Sequence, residues 1–152
     1  MRTLIFAIFS LAAWPAAADA WRLQGDSTFS FEASFEDTPL EGSFTDFDAS
    51  IDFNPQEPAG STLRVSVALT GADMGDPDMN DAIAAEEWFD VEGFPTAQYS
   101  SDDIVETAAG SYVAHGVLVL KGMRRDVDVP FTWSESTGGA TMRGEFTLKR
   151  TD

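Results

Sequence analysis

The chain has no cysteine among its 152 residues. That excludes a disulfide framework, a thiolate metal site and a lipid-modified N-terminal cysteine. It has one histidine, His115. A multi-histidine metal centre is therefore excluded, and a lone histidine in a strand reads as a structural or surface residue. Basic residues are scarce, 9 against 26 acidic ones, for a formal net charge of −17. A surface so negative argues against nucleic acid and anionic membranes as partners. Catalytic motifs are also missing. Gly25-Asp26-Ser27 matches the nucleophile motif of one esterase class, but no Asp-x-x-His accompanies it, and Gly-x-Ser-x-Gly does not occur. No enzyme activity and no cofactor are expected.

Apolar runs are short. Arg2 followed by Leu4 to Trp14 has the charge and hydropathy order of a leader, and the run is too short to cross a bilayer core of roughly 30 Å. Ala16-Ala17-Ala18 and Ala18-Asp19-Ala20 both fit the small-x-small cleavage rule, so residues 1–20 are read as a signal peptide. The expected location is the periplasm. Removal of Arg2 and Asp19 takes one charge of each sign and leaves the net charge at −17. No later apolar run is long enough for a membrane helix. The remaining 21–152 form one domain of a length that supports a sizeable core.

What is present is alternation with a period of two. Phe29, Phe31, Ala33 and Phe35 alternate with Ser30, Glu32 and Ser34. Thr38-Pro39 breaks that run, and Gly42 to Phe53 reads as a further strand whose parity slips. Phe44 is even-numbered, whereas Phe47, Ala49, Ile51 and Phe53 are odd, so a bulge or bend is expected near Thr45-Asp46. Leu63, Val65, Val67 and Leu69 form the cleanest half-buried strand. Further strands are expected over 96–105, 111–120, 126–133 and 140–148. Strand 111–120 is apolar on both faces, so parity does not assign its inner side.

One helix interrupts the strands. Asp76 can cap it and Pro77 suits its first position. Asp76, Asp78, Asn80 and Glu87 also match ligand positions of an EF-hand loop, but Asp81 stands where that loop needs glycine and a strand precedes it. An N-capped acidic helix is the plainer reading, and no metal site is expected. The helix leads to an aromatic corner, Trp88, Phe89, Phe94 and Pro95, that should close one end of the barrel or flank its mouth. Lys121, Arg124 and Arg125 bring three basic residues to one turn. Such a turn suits an anionic head group, although a solvated hairpin tip explains it as simply. The pattern predicts an all-β fold, an antiparallel barrel or sandwich of seven or eight strands with one short helix. A closed barrel of about eight strands holds either packed side chains or one small ligand.

Several stretches in order resemble the YceI-like family of periplasmic polyisoprenoid-binding proteins. They are Trp21-Arg22-Leu23 with Ser27-Thr28-Phe29-Ser30-Phe31, then Gly42-Ser43-Phe44-Thr45-Asp46-Phe47 and Ile51-Asp52-Phe53-Asn54-Pro55. Trp88-Phe89-Asp90 and Phe94-Pro95-Thr96-Ala97-Gln98-Tyr99-Ser100-Ser101 follow. The last are Gly116-Val117-Leu118-Val119-Leu120-Lys121-Gly122, Val127-Asp128-Val129-Pro130-Phe131 and Phe146-Thr147-Leu148-Lys149-Arg150. The resemblance implies a lipocalin-like barrel with an apolar tunnel. It implies a long amphiphile as ligand, such as a polyisoprenoid, a quinone or a fatty-acid derivative, and no catalysis. Some members are associated with membrane b-type cytochromes, so the resemblance extends to a cytochrome of that kind as partner. The family usually continues past the position of Arg150 with Asp-Phe-Gly and a further strand. Only Thr151-Asp152 follow here, so the barrel is expected to have an open or differently covered edge.

Strand parity selects Phe29, Phe31, Phe47, Ile51, Phe53, Val65, Val67, Tyr99, Val129, Phe131 and Met142 as the interior, ligand-binding residues. The alternative is a filled barrel without lipid that serves as a protein-interaction or stress-response module, with Ca²⁺ as a stabilising ion.

Overall fold

The computed structural model describes residues 4–17, 20–23, 25, 27–136 and 139–149. Its strands are β1 Leu4–Ala17, β2 Ala20–Leu23, β3 Thr28–Phe35, β4 Thr38–Phe44, β5 Phe47–Asp52, β6 Thr62–Ala68 and β7 Ala72–Asp73. Helix α1, Pro77–Ala84, precedes β8 Thr96–Ala108, β9 Ser111–Leu120, β10 Met123–Ser136 and β11 Gly139–Lys149. All ladders are antiparallel. The order is β11-β10-β9-β8-β6-β5-β2-β1-β3-β4-β7, and β11 returns to pair with β1. The fold is all-β with one short helix, as the alternation predicts, and of the barrel and sandwich it left open the sheet forms the barrel that the resemblance implies.

The described residues form eleven strands against the seven or eight expected, because β1 lies in the stretch read as the leader, β7 is an added strand of two residues, and the stretch 42–53 divides in two. β2 and β3 both run antiparallel to β1, with Ala13 opposite Leu23 and Ser10 opposite Thr28. β4 and β5 divide the stretch whose parity slips. Ser30 lies opposite Ser43 in one ladder and Trp21 opposite Ile51 in the other, so the register changes between them. The bend at Thr45-Asp46 is held by Thr45 N–H donating to Gly71 O at 3.0 Å and Ala68 N–H donating to Asp46 O at 2.9 Å. Thr38-Pro39, expected to be a break, instead opens β4. The turn is Glu36-Asp37, both at positive φ (47° and 64°), as a tight hairpin requires.

Residues read as the leader form β1. It pairs with β11 from Leu4 opposite Lys149 to Ala13 opposite Ala140, and with β3 from Ile5 opposite Ala33 to Ser10 opposite Thr28. The edge of β11 expected to be open or differently covered is therefore covered by β1. Among the described residues, no helix is long and apolar enough to cross a membrane.

Helix α1 starts as its sequence dictates. Asp76 Oδ1 accepts from the N–H groups of Asp78 at 2.9 Å and Met79 at 3.1 Å, and Pro77 takes the first helical position. Asn80, the third EF-hand-like position, caps the preceding loop, with Oδ1 accepting from Met74 N–H at 2.6 Å. The chain then wraps back, and Pro95 O accepts from Leu69 N–H at 2.8 Å. This tie fixes the aromatic corner against the end of β6.

Candidate functional site

The barrel interior divides into two halves. In one, aromatic rings fill the space. Phe53 meets Tyr112 at 5.0 Å, Trp133 at 4.7 Å and Phe131 at 5.8 Å, each edge to face, and Trp21 meets Trp133 at 5.0 Å. These geometries match the ring quadrupole preference. Trp21 Nε1 donates to Phe53 O at 3.1 Å, which gives the indole the partner it needs when withdrawn from water.

The other half encloses an apolar cavity with 70 Å³ of space open to the centre of a water molecule. By the same measure one water needs about 10–15 Å³, so the cavity has room for a short slender group. Phe29, Phe31 and Phe44 line it from β3 and β4, and Leu63, Val65 and Val67 from β6. Ala97, Tyr99, Leu118 and Leu120 continue the wall along β8 and β9, and Val129, Phe146 and Leu148 complete it. Phe89, from the corner after α1, closes it. Its ring lies 5.7 Å from Phe31 and 5.8 Å from Phe44. Phe89 is thus both an anchor for the corner and a wall of the cavity, whereas Phe94 is exposed against Gly122.

Tyr99 marks the boundary between the halves. Its hydroxyl lies 3.0 Å from Ala114 O and 2.9 Å from Val127 O, so its one proton has two acceptors. Burial, followed by the negative charge of Asp128, raises its pKa far above the ordinary tyrosine value. It remains a neutral donor. Gly116 makes the position available, because a Cβ there would stand 2.4 Å from Ser100 O and 2.6 Å from the Tyr99 hydroxyl.

Of the parity-selected residues, Phe29, Phe31, Val65, Val67, Tyr99 and Val129 are brought together around the cavity. Ile51, Phe53, Phe131 and Met142 are buried but do not line it. Phe47 is half-buried, with its ring 5.6 Å from Phe29. Parity did not select Leu118 and Leu120 because their strand is apolar on both faces. Phe146 and Leu148 share the even-numbered row of Met142, so the same alternation could have found them. Phe44 lies before the register change and Phe89 in a corner without periodicity.

The cavity wall is not continuous. β10 and β11 pair from Ser136 opposite Gly139 to Phe131 opposite Gly144, and the ladder stops there. The next residue, Pro130, has no N–H to donate. Met123 to Pro130 lies unpaired to β11, although it remains fully paired to β9. Val129 lies on one side of this parting and Phe146 and Leu148 on the other, all lining the cavity.

Known proteins resemble this chain in sequence or in fold. A UPF0312 protein of Photorhabdus laumondii is 30% identical over 88 residues, 58% of this chain and 45% of that protein. One of Yersinia enterocolitica is 31% identical over the same length, with the same coverage. The match thus spans about half the length of these curated relatives. Among solved structures, Burkholderia cenocepacia BcnA superposes with a TM-score of 0.65 at 18% identity, over 94% of this chain and 96% of that one. A Campylobacter jejuni YceI protein gives 0.60 at 13% identity, over 78% and 89%. The family model of the YceI-like domain matches residues 21–152, and the chain belongs to that family.

Proposed function

We propose that this protein binds a long-chain amphiphile, of the polyisoprenoid, quinone or fatty-acid class, and performs no chemistry on it. The observation that carries this reading is the cavity lined by apolar side chains and bordered by an unpaired stretch of wall. Each ligand CH₂ withdrawn from water contributes about 0.8 kcal/mol, so a long chain binds tightly with little polar help. The bound chain enlarges the narrow cavity by shifting the rings that border it.

The leader pattern supports export to the periplasm with cleavage after Ala18 or Ala20. Cleavage takes β1 from between β3 and β11. Both edges then face solvent or a new covering. N-terminal sequencing of the exported protein tests this directly, since a chain that retains residues 4–17 contradicts it.

Native mass spectrometry of protein purified from a diderm host tests the binding reading, with a co-purified amphiphile expected. The rings packed around Phe53 favour the competing reading, a filled interaction module. Repeated absence of a bound lipid would decide for that module.

A further inference from the structure

Arg125 lies where an apolar site would place its single charged contact. Burial along β10 alternates, with Val127, Val129, Phe131 and Trp133 on the inner row. Arg125 continues that row toward the β9–β10 turn and is half-buried. It lies opposite Leu118, a residue of the cavity wall, on the stretch of β10 that is unpaired to β11. Its neighbours Arg124 and Asp126 are on the outer row. Lys121, at the turn itself, is already engaged with the backbone carbonyl of Glu86. Among the described residues, Arg125 has no hydrogen-bond or ion-pair partner.

An arginine on the inner row, opposite a residue of the cavity wall and with its donors uncommitted, matches a ligand whose chain enters the cavity and whose head carries negative charge. We infer that Arg125 anchors an anionic head group, a phosphate or carboxylate, of the amphiphile bound in the cavity. This rests on the lipid-binding reading and narrows it, because a neutral quinone ring offers the guanidinium no charge. Its planar fork pairs with two oxygens of one anion at once. The chain's net charge of −17 repels anions in general. Any preference for an anionic ligand must therefore come from a local contact.

The test uses the full chain and two probes with the same hydrocarbon, farnesol and farnesyl monophosphate, with inorganic phosphate as a third. The wild-type protein should bind the phosphate ester at least about tenfold more tightly than the alcohol, as a charge-assisted contact allows. Arg125→Ala should bring the two probes to near parity by weakening the ester far more than farnesol. Arg125→Lys should restore part of the preference, and Arg124→Ala should leave it intact. Added salt should weaken only the ester. Inorganic phosphate should not displace either probe. Equal binding of ester and alcohol by the wild type, or an unchanged preference in Arg125→Ala, would overturn the anchor while leaving the cavity reading intact. Displacement by inorganic phosphate at the ester's own affinity would likewise overturn it, as an anion site independent of the chain. Binding of neither probe would defeat the lipid-binding reading itself. Should Arg125→Ala fail to fold, the wild-type comparison of the two probes and its salt dependence still decides the matter.

Discussion

Phe53 and Phe89 are both buried rings among rings, yet they do different work in the two halves of one barrel. Phe53 has three edge-on partners within 5.8 Å in the half where the β10–β11 ladder is complete. Phe89 meets Phe31 and Phe44 at similar spacing, but in the half where that ladder has ended at Phe131. Closed walls bring rings into contact from all sides, and the space between them disappears. Parted walls leave rings lining a cavity. Residue type therefore does not decide between filling and lining. The continuity of the wall behind the rings decides it, and that continuity stops at Phe131.

The largest effect should come from the filled half. Phe53→Ala removes a ring that is 1% exposed and should cost about 3–5 kcal/mol, read by urea denaturation. A loss below about 1 kcal/mol, the level of a single methylene, would show that this half is not closely packed. Next comes the boundary. Gly116→Ala brings a methyl group against Ser100 O and displaces the Tyr99 ring, and should cost about 1–3 kcal/mol. An unchanged melting temperature would mean that Tyr99 does not lie across Gly116. The open half should behave in the opposite way. Ala97→Leu extends into free space and should change stability by less than about 1.5 kcal/mol while it lowers ligand retention. Retention equal to wild type would move the ligand out of this cavity.

The smallest effect lies on the outer face. His115 Nδ1 is 2.7 Å from Asp128 Oδ1, and that hydrogen bond raises the histidine pKa; desolvation opposes it, and the charges of Asp128 and then Asp103 add to the rise. A raised folded-state pKa means that the protonated form is favoured by folding. The contribution is fully present below the unfolded value of about 6.5 and is lost as pH rises through the folded value. The melting-temperature difference between wild type and Asp128→Asn should therefore be present at acid pH and vanish on the alkaline side. A difference that grows with pH would give the interaction the wrong sign.

The contrast between the halves was only partly legible in the sequence. Alternation placed Phe29, Phe31, Val65 and Val67 inside because each faces a polar neighbour along its strand. The same rule placed Phe53 and Phe131 inside but could not separate them from the cavity residues, since both sets share inward parity. What separates them is the loss of pairing between β10 and β11, a property of two strands together. Pro130 is visible in the sequence, but the end of the ladder beside it appears only when the partner strand is known. Leu118 was hidden by the opposite cause, a strand apolar on both faces. The position of residues 4–17 depends on ladders with β3 and β11 from distant parts of the chain, and their hydropathy contains no trace of it.

The central claim is that the open half takes up a hydrocarbon chain. Displacement of a fluorescent fatty acid from the full-length protein by a homologous series of isoprenols tests it most directly. Affinity should rise with chain length, by about 0.8 kcal/mol for each methylene buried, and level off once the open half is full. Affinity that does not change along the series would contradict the account.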